Sequence, residues 1–215
     1  MYLFHNVLYK DIINIEAMTI PKNKIVCITG ESGGGKTTLL KLMNKMISPN
    51  SGEILYHDSP LEALDSIDLR RQVVMLPQNP AIYNGSIRDN LLIGLNFSEK
   101  PMVNDDKLKS SLISARLDKV LDDSVDNLSG GEKQRLALAR VLLLNPDVFL
   151  LDEPSASLDK ETEKIIIENL VIQCRKNAKS VIMVTHSNQI ADDYADIIIR
   201  IDKGRVVGQE VKNEQ

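Results

Sequence analysis

With 215 residues, 43% of them hydrophobic and 26% charged, the chain has room for one substantial domain carrying an insertion and has the composition of an ordinary soluble globular protein. Its net charge of −4, with basic residues scattered among acidic ones, gives no electrostatic case for binding nucleic acid or lipid headgroups. No stretch approaches the roughly 18 apolar residues of a membrane span, the start Met1–His5 lacks a leader pattern, and Cys27 and Cys174 have no neighbouring Cys or His, so the expectation is a cytoplasmic protein with free thiols.

In chain order, residues 1–24 read as short strands forming an antiparallel flank. The apolar runs Ile25–Ile28, Val148–Leu151, Val181–Val184 and Ile197–Ile199 are continuous rather than alternating, as suits strands covered on both faces of a parallel sheet. Helical patterns lie between them. Thr37–Ile47 stops before Ser48-Pro49-Asn50-Ser51-Gly52, read as a turn-rich break; Glu132–Leu144 stops at Asn145-Pro146; Lys160–Lys176 carries apolar residues among charges. The stretch after residue 79 shows little strand signal, with short helices expected around Ile87–Leu91 and Asp105–Arg116. The reading is an α/β fold: a single domain over 1–215 with a mostly parallel sheet, an antiparallel β flank near the N-terminus and a helical subdomain at about 79–135 inserted in the core.

Gly30-Glu31-Ser32-Gly33-Gly34-Gly35-Lys36-Thr37-Thr38 matches G-x-x-x-x-G-K-[ST] between an apolar strand and a helix, the context of a phosphate loop. Glycines let successive N–H groups turn inward on phosphate oxygens, and the helix start points its positive end at the same anion. Lys36 supplies a mobile charge for the β- and γ-phosphates, and the Thr37 hydroxyl is placed to ligate Mg²⁺. The plain alternative, a glycine-rich turn between strand and helix, is set aside because the four fixed positions coincide with an apolar strand before and a helical pattern after.

Val148-Phe149-Leu150-Leu151-Asp152-Glu153-Pro154 is a buried strand ending in two acids, an expensive arrangement unless the charges are used. Asp152 is assigned to the Mg²⁺ shell, through water, and Glu153 to the general base that deprotonates an attacking water. His186 ends another such strand and can reach a γ-phosphate; a structural histidine is the alternative. Gln78 can offer its amide oxygen to Mg²⁺. In Leu128-Ser129-Gly130-Gly131-Glu132, Ser129 and Glu132 have the spacing of a capping box, but two consecutive glycines weaken a helix start unless something must approach the backbone. A second phosphate-binding helix start in one chain is best explained by a nucleotide held elsewhere.

These motifs, in this order and over nearly the whole chain, resemble the ATP-binding subunit of an ATP-binding-cassette (ABC) transporter. Gly30–Thr37 corresponds to the family's Walker A motif, Leu150–Glu153 to Walker B, Gln78 to the Q-loop, Ala156-Ser157-Leu158-Asp159 to the D-loop and His186 to the switch histidine. Leu128–Glu132 matches the signature LSGGQ with Glu132 in place of the final Gln. The resemblance implies that MgATP lies between one subunit's Walker A and the signature of a second copy or a paralogous subunit, with Ser129 and the Gly131 N–H on the γ-phosphate in trans. It further implies a polytopic permease partner at the inner face of the membrane, and Tyr9 is the candidate for stacking on adenine. Ala81, Ile82 and Tyr83 resemble the docking segment of exporter-type cassettes. A non-transport cassette ATPase or an ATP-gated binding module is the alternative; a GTPase is disfavoured because no N-K-x-D motif follows the phosphate loop.

Overall fold

The computed structural model describes residues 1–154 and 159–212. Strands β1 (Tyr2–Tyr9) and β2 (Ile13–Ile20) form an antiparallel hairpin; β3 (Ile25–Thr29) leads through the glycine loop into helix α1 (Lys36–Met43); β4 (Ser51–Tyr56) and β5 (Ser59–Pro60) return to the hairpin. There follow α2 (Ser66–Gln72), β6 (Val73–Leu76), α3 (Ile87–Phe97), α4 (Asp105–Ser114), α5 (Gly130–Leu144), β7 (Val148–Asp152), α6 (Lys160–Lys176), β8 (Ser180–Val184), α7 (Asn188–Tyr194), β9 (Ile197–Asp202) and β10 (Arg205–Val211).

Two sheets result. The antiparallel one has the order β2-β1-β4-β5, and the larger one β10-β9-β3-β8-β7-β6, parallel throughout except at β10. Period-two alternation then divides the core. Val26, Ile28, Leu150, Ile182 and Ile199 face α1 and the antiparallel sheet, burying Leu39, Leu42, Phe4 and Ile15. Ile25, Cys27, Phe149, Leu151 and Met183 face the other way, into one apolar cluster with α3, α4, α5 and α6. A strand buried on both faces reads as a continuous apolar run, which is why β3, β7, β8 and β9 stand out in the sequence.

Helix ends follow local chemistry. Asn145 takes the left-handed conformation (φ 44°) to close α5, and Pro146 prevents continuation. Asp159 caps α6, accepting from the N–H groups of Glu161 at 3.1 Å and Thr162 at 2.9 Å. Helix α6 has the bounds its sequence suggests, whereas α1 ends at Met43, short of Ile47, and α3 runs two turns beyond Leu91.

Ser51 and Gly52 are a correction to the turn-rich break: they open β4. The strand pairs with β1 across a bulge between His5 and Leu8, where Gly52 lies at φ 83° against a carbonyl. A side chain on Gly52 would meet the Asn6 oxygen at 2.1 Å, so its glycine serves a strand irregularity rather than a loop.

Candidate active site

The parallel strands β3, β8, β7 and β6 all end on one edge of the large sheet, and the conspicuous polar residues leave from those ends. After β3 the loop from Gly30 to Gly35 turns sharply: Gly30, Gly33 and Gly35 have φ of 141°, 79° and 98°. A Cβ on Gly30 would stand 1.9 Å from the Ile201 oxygen, and one on Gly35 would be 2.9 Å from the Ile13 side chain. Only glycine fits at either place. The Gly34 carbonyl accepts from the Gly204 N–H at 2.9 Å, which ties the loop to the turn between β9 and β10.

Lys36 opens α1 and is 5% exposed, with its ammonium donating to the carbonyls of Gly30 (2.8 Å) and Glu31 (2.7 Å). A buried cation satisfied by the loop it serves is positioned to exchange those carbonyls for phosphate oxygens. Glu31, Ser32 and Gly33 form the exposed crest of the loop; Thr37 and Thr38 lie half-buried in the first turn of α1.

Thr37 Oγ1 donates to Asp152 Oδ1 at 3.1 Å, joining the end of β7 to the phosphate loop. Asp152 is 1% exposed, and burial pushes its carboxyl above the usual range, with the neighbouring Glu153 charge adding to the effect and the Thr37 hydroxyl opposing it. A hydroxyl and a desolvated carboxylate side by side are hard oxygen donors of the kind Mg²⁺ takes, so these residues fit the ion.

Glu153 is the hub of the arrangement. Its Oε1 lies 2.8 Å from His186 Nε2, its Oε2 accepts from Gln78 Nε2 at 2.9 Å, and its backbone oxygen accepts from Gln134 Nε2 at 3.4 Å. A carboxylate only accepts, so the amide nitrogen of Gln78 makes this bond and its oxygen is left out of it. The Glu153 backbone sits at φ 49°, a conformation a non-glycine residue adopts at a cost, and its N–H is held by the Val184 carbonyl at 3.1 Å. A carboxylate so fixed can take a proton from a bound water.

The structure thus brings Lys36, Thr37, Asp152, Glu153, Gln78 and His186 onto one edge. Tyr9 lies at the end of β1, its ring packed partly against the core and the Lys10 ammonium 5.2 Å from its centroid. Asp159 is engaged as the α6 cap, and the remaining D-loop positions Ala156, Ser157 and Leu158 lie outside the described residues. Gln134, Gly204 and the Glu153 backbone conformation escape sequence reasoning; only the Lys203-Gly204 turn between Ile201 and Val206 leaves a visible signal.

Ser129 caps α5: its Oγ accepts from Glu132 N–H at 3.3 Å while Glu132 Oε2 accepts from Ser129 N–H at 2.8 Å, a complete capping box. A Cβ on Gly130 would meet nothing within 4 Å, so the start of this helix is open to approach. On another surface, exposed Tyr83 meets Phe97 edge-on at 6.3 Å, and Arg140 lies over the Tyr83 ring while donating to the Ala81 oxygen at 2.7 Å; Ile82 packs into the main core.

A family model described as ABC transporter matches residues 13–156, well over half of the chain. The glutathione/L-cysteine transport system ATP-binding/permease protein CydC of Escherichia coli (strain K12) is 37% identical over 193 residues, covering 86% of this chain and 32% of that one. The lactococcin-A transport/processing ATP-binding protein LcnC of Lactococcus lactis subsp. lactis is 36% identical over 197 residues, covering 88% of this chain and 27% of its own. The chain therefore spans about a third or less of these relatives' length. Among solved structures, a dimeric ATP-binding cassette in a post-hydrolysis state bound to ADP and Pi superposes with a TM-score of 0.88 at 26% identity, each chain covered completely. A bacterial Atm1-family ABC exporter with ATP bound gives the same TM-score at 27% identity, over 98% of this chain and 38% of that one. On the family match and the full-length likeness to a solved cassette, the chain belongs to the ABC transporter family.

Proposed function

We propose that the chain is the ATP-hydrolysing motor of a transporter, working as a head-to-tail pair with a second copy or a paralogous subunit. Each ATP lies between the Gly30–Thr38 loop of one subunit and Ser129–Gly131 of the other. Lys36 and the loop N–H groups bind the β- and γ-phosphates. Thr37 and Asp152, with the amide oxygen of Gln78, would hold Mg²⁺, which when bound neutralises charge on the phosphate oxygens. Glu153 orients water and takes its proton; His186 fixes that carboxylate and reaches toward the γ-phosphate. Tyr9 offers a ring to the adenine, and Asp159 keeps α6 in place beside the D-loop.

Binding closes the pair and hydrolysis lets it open, a stroke that a polytopic permease converts into substrate movement, in the direction of export. The chain would then sit at the cytoplasmic face of the membrane through that partner, with Ala81, Ile82 and Tyr83 in the contact. Among the described residues no helix is long and apolar enough to cross a membrane. The convergence of Gln78 and His186 on the Glu153 carboxylate, beside the Thr37–Asp152 pair, carries the reading. The dimeric form of the solved cassette bound to ADP and Pi supports the pairing. Glu153→Gln is expected to accumulate as an ATP-bound dimer on size exclusion; a variant that stays monomeric at saturating MgATP would overturn the head-to-tail reading.

A further inference from the structure

Glu132 puts a carboxylate in the first turn of α5, where a partner's γ-phosphate would arrive if the head-to-tail reading, on which this inference rests, is correct. An uncompensated acid there repels the phosphate and competes with it for the positive end of the helix. Lys119 answers the charge: its ammonium lies 3.0 Å from Glu132 Oε1, and the two side chains are only 31% and 20% exposed.

This lysine is not a free surface cation. The loop that carries it is anchored to α3 just after the lysine. The Arg88 N–H donates to the Leu121 carbonyl at 2.8 Å, and the Ile87 N–H to that of Asp123 at 3.0 Å. The Arg88 guanidinium bridges Asp122, at 2.9 Å, and Asp105. Glu132 is equally constrained, because its second oxygen accepts from Ser129 N–H at 2.8 Å. Ser129 Oγ accepts from Glu132 N–H, which leaves the hydroxyl hydrogen to donate outward. The N–H groups of Gly130 and Gly131 are among those a helix cannot satisfy internally.

We propose that Lys119 is a positioning residue of the trans half-site: it neutralises Glu132 and holds it against the Ser129 N–H, so that the Ser129 hydroxyl and the two glycine N–H groups are left facing a partner's γ-phosphate. The unusual acid at the end of the signature is then a fixed strut rather than an obstacle. Consistent with that geometry, the Ser129 N–H and the Lys119 ammonium hold the Glu132 carboxyl down to about 2.

The test is the MgATP concentration at half-maximal dimerisation, read by light scattering in the Glu153→Gln protein. Lys119→Met should raise it by about fivefold or more, the scale of one uncompensated charge at a partly solvated contact. Lys119→Arg should leave it near the parent value. In a Glu132→Gln background, Lys119→Met should have no further effect, since no acid remains to neutralise. An unchanged midpoint for Lys119→Met, or an equal shift with Gln at 132, overturns the role assigned to Lys119 while the head-to-tail reading stands. If the Glu153→Gln parent itself never pairs, that reading fails and the inference fails with it. ATP affinity of the monomer, governed by the phosphate loop, should match the Glu153→Gln parent in each Lys119 and Glu132 variant and separates this effect from misfolding.

Discussion

His186 Nε2 stands 2.8 Å from the Glu153 carboxylate, and Glu153 itself is held at φ 49°. The backbone conformation and the hydrogen bond act together: both fix the direction in which the carboxylate points. A left-handed conformation costs a non-glycine residue on the order of 1–2 kcal/mol, which persists only when neighbours enforce it. Here the Val184 carbonyl and Gln134 do so.

Glu153→Gly should therefore separate stability from function. Glycine removes the strain and the like charge beside buried Asp152, against a chain-entropy loss of about 0.5–1 kcal/mol. The unfolding midpoint is expected to hold or rise, while ATP turnover falls by about two to four orders of magnitude if Glu153 is the general base proposed above. A calorimetric scan and a phosphate-release assay check the two halves; a clear drop in melting temperature would contradict the strain argument.

Asp152 gives a prediction in pH. Its folded carboxyl lies above the ordinary value of 3.8, chiefly through burial, so the fold without ligand holds the proton more tightly than the unfolded chain does. For a raised acid, the stabilising contribution is complete below the unfolded value and is lost as pH rises through the folded one. Asp152→Asn should match the parent near pH 3.5 and become the more stable protein as the pH rises toward neutrality. MgATP should reverse the order at pH 7, because the asparagine gives up the anionic partner of the cation. Thermal midpoints across pH, with and without MgATP, test both signs.

Much of this arrangement is legible in the sequence, for reasons that also mark the limits. The loop from Gly30 to Thr37 declares itself because its glycines, lysine and threonine answer separate physical demands at fixed spacing. Strands β3, β7, β8 and β9 are visible because burial on both faces gives each a continuous apolar run, with polar residues such as Thr29, Asp152, Ser180 and Arg200 only outside that run. Strand β6 is not: Val73–Leu76 is only four residues long and partly exposed at the edge of the sheet. Gly52 reads as a turn because a sequence does not reveal that a neighbouring backbone occupies the space of its side chain. The same blindness hides Gly204, whose support of the phosphate loop spans 170 positions of chain (204 − 34).

That contact yields a test far in sequence from any nucleotide motif. Gly204 lies at φ 74°, and a Cβ there would meet the Ile12 oxygen at 1.9 Å. Gly204→Ala must shift the β9–β10 turn, stretch its bond to the Gly34 carbonyl and loosen the loop that Lys36 braces. The expected cost is about 1–3 kcal/mol of stability and a loss of ATP affinity of about tenfold, as misplacing a preorganised anion site by a fraction of an ångström implies. Titration with a fluorescent ATP analogue reads the affinity; undiminished binding in a destabilised protein would show that the turn supports the fold alone.

Complementation addresses whether Ser129 acts across the interface. Lys36→Ala removes the ammonium from the phosphate loop and should abolish ATP binding by its own subunit. Ser129→Arg leaves that loop intact but fills the open start of α5, so the subunit binds ATP and fails to turn it over. In a head-to-tail pair, mixing the two inactive proteins creates one site built from the intact loop of the Ser129→Arg copy and the intact helix start of the Lys36→Ala copy. Phosphate release should therefore reappear in the mixture and vanish when either protein is diluted away. If loop and helix start served the same nucleotide within one chain, each copy would carry a spoiled site and the mixture would stay as inactive as its components.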